Sequence, residues 1–104
     1  MSEISGNIIK CFAYITILIE LSNGKKLTGY EIMVHLRNNF GFEVSPGTLY
    51  HQLEMLSSAG IIRGTQQSHK TVYDMTETGH EVFKKFKKQW KKPLDFVYQN
   101  LNNF

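Results

Sequence analysis

The side chains best able to do chemistry are few and scattered. Cys11 and four histidines (His35, His51, His69, His80) are the soft or titratable ligands, and no two stand at metal-ligand spacing, so no metal site is expected. No nucleophile and base lie at motif spacing, and no glycine-rich loop is built to cradle a phosphate. The chain therefore reads as a non-enzyme with no cofactor. A lone cysteine excludes a disulfide framework within the chain and fits a reducing, cytoplasmic setting. Charge is what remains. Twelve Lys+Arg against nine Asp+Glu give +3, and six lysines lie between Lys84 and Lys92. That balance permits a polyanionic partner without demanding one.

The elements that must position these groups fit one domain, since the chain has 104 residues, 41% of them hydrophobic. The longest apolar stretch, Ile8 to Leu21, is broken by Lys10 and Glu20. It falls short of the roughly 20 residues of a membrane span, and it lacks the small-residue site of a cleaved signal peptide.

Residues 4–21 carry Ile4, Ile8, Phe12, Ile15 and Ile19 at helical spacing, which predicts a first helix with that face buried. Ile9, Cys11 and Leu18 widen the stripe, so the helix is expected to touch a second subunit as well as its own core. Thr28 and Glu31 form a capping-box pattern for a second helix, with Tyr30, Met33, Val34 and Phe40 expected inward and Gly41 ending it. Ser45 followed by Pro46 opens a third helix, which carries Leu49, Leu53 and Leu56 and stops at Gly60. The period then changes. Residues 61–63 and 71–75 read as a two-stranded hairpin around a polar tip at residues 65–69. Thr76 caps a final helix, where Phe83, Phe86, Trp90, Leu94, Val97, Leu101 and Phe104 form a seam of about three heptads. Pro93 is expected to kink or break it.

Helix, helix, helix, hairpin and long helix is the plan of a winged helix-turn-helix: mainly α with a small β-hairpin, plus an N-terminal and a long C-terminal helix. Particular residues sharpen this. The runs Leu27 to Ile32, Val44 to Tyr50, Leu53 to Leu56, Gly60 to Ile62 and Val72 to His80 closely resemble PadR-type transcriptional regulators. The resemblance covers roughly residues 27–90. It implies a winged-helix DNA-binding domain over residues 1–75, including the helix at 4–22, and a C-terminal dimerisation helix over residues 76–104. It implies a homodimer, usually a repressor, binding an inverted repeat in double-stranded DNA.

By that resemblance Ser45, Pro46, Gly47, Thr48, Leu49 and Tyr50 match the start of the recognition helix. Gly47 would admit backbone close to phosphate, and Tyr50 would donate its hydroxyl to one. Thr48, His51 and Gln52 would face base edges or nearby phosphates. His51 stands where the family commonly has proline. No Lys or Arg lies between Ser45 and Gly60, so phosphate attraction is expected from Lys25, Lys26, Arg63, His69 and Lys70, with Arg37 a further candidate. The dimer interface is expected at Ile8, Phe12, Ile15, Phe83, Phe86, Trp90, Leu94, Val97 and Leu101. Trp90 has two readings: a tryptophan buried in the dimer seam, or the wall of a pocket between subunits for a small aromatic effector. The lysine run reads as the solvated back of the last helix, or as a long-range attractor of DNA. The rival to DNA binding is a winged helix that docks another protein.

Overall fold

The computed structural model describes residues 3–41 and 44–101. In chain order they form α1 (Glu3–Ser22), β1 (Leu27–Thr28), α2 (Gly29–Phe40), α3 (Pro46–Ser58), β2 (Ile62–Gln67), β3 (Lys70–Met75) and α4 (Glu77–Leu101). The signals that start and stop the middle helices are local and act as their residue types require. The Thr28 hydroxyl accepts from the Glu31 amide at 3.2 Å, and the Glu31 carboxylate accepts from the Thr28 amide at 3.0 Å. This capping box satisfies amides that the first turn of α2 leaves open. Gly41, at φ 72°, closes α2 with its amide on the Arg37 carbonyl. Ser45 caps α3 through the Thr48 amide at 3.2 Å, with Pro46 where no amide is needed.

The sheet has three antiparallel strands in the order β1-β3-β2, one more than the expected hairpin. An N-cap residue takes extended backbone, as Thr28 does, and this lets Leu27 and Thr28 lie opposite Tyr73 and Val72 of β3. The expected tip is also shorter. β2 pairs with β3 from Ile62↔Met75 out to Gln67↔Lys70, so only Ser68 and His69 make the turn, with Ser68 at φ 56°. Thr65, Gln66 and Gln67 are all exposed, which hides the strand period from a hydrophobicity reading.

The core corrects two expected faces. In α1 the buried apolar residues are Ala13, Ile17, Leu18 and Leu21, while Ile8, Phe12 and Ile19 are exposed and Ile15 is half-buried. In α2 the buried residues are Ile32 and Leu36, and Tyr30 is exposed. The side chains of Ile4 and Phe40, and all of Phe104, lie outside what is described. Leu49, Leu53 and Leu56 of α3 complete the core with Ile61, Ile62, Met75 and Phe83.

The start of α4 is anchored by its cap. The Thr76 hydroxyl accepts from the Gly79 amide at 3.0 Å and lies against the Gly60 and Ile61 carbonyls. A Cβ on Gly79 would sit 2.0 Å from the Ile61 carbonyl oxygen, so only glycine allows this approach. Phe83 is buried in the protomer's own core, which takes it out of the expected dimer face. From Lys87 to Leu101 every residue is exposed. The helix continues through Pro93, so the expected break is absent.

Candidate nucleic-acid interface

The leading end of α3 is turned outward. Ser45, Pro46, Gly47, Tyr50 and His51 are exposed, and Thr48 is half-buried with its hydroxyl 2.9 Å from that of Ser45. Open space surrounds the position a Cβ would take on Gly47. Pro46 carries no amide and the Thr48 and Leu49 amides are bonded to Ser45, so what this exposed helix start offers is the Gly47 backbone beside two hydroxyls, an arrangement suited to an anion or a base edge.

Tyr50 joins α3 to the wing. Its ring lies on Gly29 at the start of α2, where a Cβ would come within 2.8 Å of the Tyr50 hydroxyl. A hollow of about 470 Å³ opens there, lined by the Thr28–Glu31 turn, Tyr50, His69, Lys70, Thr71 and Tyr73. The fold thus brings Tyr50, His69 and Lys70 together from three elements. Partial burial pushes the Tyr73 hydroxyl above its ordinary pKa, and the neighbouring Tyr50 adds to this. Gly29 and Tyr73 were not singled out from the sequence. Their signal was the glycine directly after the Thr28 cap and the tyrosine in the Val72-Tyr73-Asp74 run.

On its other side α3 meets α1. Gly47, Thr48 and His51 border a hollow of about 420 Å³ with Lys10, Tyr14 and Met55. Lys10 is a cation beside α3 that spacing alone did not reveal. Gln52 is a correction. It is 7% exposed and points inward, donating to the Lys10 carbonyl at 2.7 Å, so it is not a base reader. Its Oε1 is buried without a partner among the described residues.

Two of the expected phosphate-binding cations are already engaged. Lys25 is 3.2 Å from Glu20, which also meets His35 Nδ1 at 3.0 Å. Burial raises the Glu20 carboxyl, but the hydrogen bonds from His35 and Lys25 outweigh it and hold the group below its ordinary value. Arg63 pairs with Asp74 at 2.9 Å directly across the β2–β3 ladder. Lys26 and Lys70 are exposed.

The profile of the transcriptional regulator PadR-like family matches residues 17–85, well over half of the chain. The chain belongs to the PadR-like family of transcriptional regulators. Solved structures agree with that membership. A PadR family transcription regulator from Clostridium difficile superimposes with a TM-score of 0.71 at 25% identity, covering 86% of this chain and 98% of that one. A winged-helix DNA-binding protein from STIV shares the fold, with a TM-score of 0.64 at 23% identity over 78% of this chain and 87% of that one. Among curated proteins, the transcriptional activator GvpE2 of Halobacterium salinarum is 35% identical over 49 residues, 47% of this chain. The match spans only 25% of that activator's length. This PadR-like chain is a mainly helical winged helix-turn-helix with a small antiparallel sheet. Among its described residues no helix is long and apolar enough to cross a membrane, and no three His, Cys, Asp or Glu gather as metal ligands would.

Proposed function

We propose that this PadR-like regulator binds double-stranded DNA as a homodimer, reading an inverted repeat with two copies of α3, and acts as a repressor. The outward leading end of α3, flanked by the wing and by Lys10, is the observation that carries the reading. Ser45, Pro46, Gly47, Thr48, Tyr50 and His51 would meet bases and phosphates, and Lys26, His69 and Lys70 would meet the backbone alongside. Residues 1–75 would form the DNA-binding unit and residues 76–104 the clasp. Repression would need only occupancy of the operator.

The homodimer is supported by the faces the protomer leaves uncovered. Ile8 and Phe12 of α1, with Trp90, Leu94, Val97 and Leu101 of α4, are exposed apolar side chains on neighbouring helices. Apolar stripes of this kind are stable only when covered. Phe86 stacks between Phe83, at 6.1 Å, and Trp90, at 6.3 Å, so the stripe continues the protomer's own core outward.

A second reading concerns an effector. A cavity of about 460 Å³ lies between α1 and α4, with Tyr14, Ile15, Gln52, Phe86, Trp90 and Leu94 in its wall. A planar aromatic ligand would fit this apolar wall. Trp90 is the only tryptophan, so its fluorescence reports binding directly. Unchanged emission on titration with planar aromatic compounds would count against an effector.

The DNA reading is tested by footprinting the region upstream of the chain's own gene. Protection lost in Thr48→Ala, in a variant that still folds, is the expected result. A protein-docking winged helix would bind duplex without salt dependence or not at all.

A further inference from the structure

The positive charge of this chain is concentrated away from α3. The six lysines Lys84, Lys85, Lys87, Lys88, Lys91 and Lys92 are half of the twelve basic residues. Without them, six basic residues face nine acidic ones, a balance of −3. Lys25 and Arg63 are further offset by Glu20 and Asp74. α3 holds no Lys or Arg and carries Glu54. A protein that reads duplex DNA from such a face starts at an electrostatic disadvantage, because phosphate attraction supplies essentially all non-specific affinity.

α4 supplies the missing charge. All six lysines are exposed, within nine consecutive residues that rise about 12 Å. Lys84, Lys85, Lys88 and Lys92 lie on the side away from Phe83, Phe86 and Trp90. Lys87 stands at the flank, 5.2 Å from the Phe83 ring centre, and Lys91 is bonded to Asp95 at 2.9 Å. Glu77 and Glu81 precede the run, and no acid interrupts it. A 12 Å row of ammonium groups is long enough to lie against two to three successive phosphates of one strand, whose charges repeat about every 3.4 Å along the duplex axis but stand roughly twice that far apart in space.

We propose that the lysine face of α4 is a second, sequence-independent phosphate-binding surface, supplying most of the electrostatic part of duplex-DNA binding. The inference rests on the DNA-binding function proposed above. Base reading at α3 and charge attraction at α4 are then separate devices on separate helices.

The test uses the full chain with Lys84→Gln, Lys85→Gln, Lys88→Gln and Lys92→Gln combined, and a second variant with arginine at the same four positions. Circular dichroism first establishes that helix content and Tm are retained. Fluorescence anisotropy then follows binding to a random 30-base-pair duplex and to the footprinted operator from about 50 to 200 mM salt. The expected result is a loss of tenfold or more in random-duplex affinity for the glutamine variant. Its log–log salt slope should shrink by about 0.9 for each phosphate contact removed. The arginine variant should bind as the parent does, and operator footprint boundaries should stay in place. Parental affinity and slope in the glutamine variant overturn the inference alone, because Thr48→Ala tests α3 separately. Displacement of duplex by polyglutamate of equal charge as readily as by DNA also overturns it, and assigns the face to an acidic protein. Failure of the parent to bind any duplex overturns both readings.

Discussion

Tyr50 rests its ring on Gly29, and this contact ties α3 to the start of α2 beside the wing. Gly29→Ala would push that ring by its Cβ, so DNA affinity should fall about tenfold in gel-shift titrations, a loss near 1.4 kcal/mol. Tyr50→Phe keeps the ring and removes the hydroxyl. Its loss should be similar, with Tm unchanged. Gln52 gives the opposite expectation. Its amide nitrogen serves a carbonyl of α1, and Oε1 has no partner among the described residues, so Gln52→Leu should leave operator affinity within about twofold. A tenfold loss in that variant would restore Gln52 as a base reader. The caps at Thr28 and Ser45 were legible because each is decided within four residues. The inward turn of Gln52 was not, because its acceptor lies 42 residues away in α1.

At the scale of elements, α1 and α4 share one property: each carries more apolar surface than its own core takes up. The isoleucine series of α1 was legible as a stripe, but a helix apolar on two sides does not reveal which side faces inward. Packing chose Ala13, Ile17, Leu18 and Leu21 and left Ile8, Phe12 and Ile19 outside. β1 escaped notice because two residues carry no period. The joints between elements are testable. Gly79→Ala places a Cβ on the Ile61 carbonyl, so thermal unfolding should show a loss of several kcal/mol. Thr28→Ala removes the capping box, at about 1 kcal/mol. The pairing of Glu20 with Lys25 and His35 links the end of α1 to α2. Because the folded carboxyl sits below its unfolded value of about 4.3, its contribution is present above that pH. It fades as pH falls through the lowered folded value. Glu20→Gln should therefore destabilise at pH 7, and its deficit against the parent should vanish in strong acid. A deficit independent of pH would remove the carboxylate from this role.

At the scale of the whole molecule, order and composition were sufficient for the architecture, because caps, periods and turn residues all agreed on one arrangement. The lysine run and the lack of cations in α3 were legible in the sequence, but that Lys25 and Arg63 are already paired with Glu20 and Asp74 needed coordinates. In the proposed dimer the exposed stripe of α4 would acquire a partner. Trp90→Glu puts a carboxylate into that stripe and should yield monomers in sedimentation at micromolar concentration; an intact dimer would place the interface elsewhere. The most direct measurement is methylation protection on the DNA upstream of this chain's gene, with parent and Thr48→Ala proteins side by side. The account predicts protected guanines in two successive major grooves, about 34 Å apart on one face of the duplex, and their loss in the variant. Protection that persists unchanged in Thr48→Ala, or that falls in the minor groove alone, would contradict it.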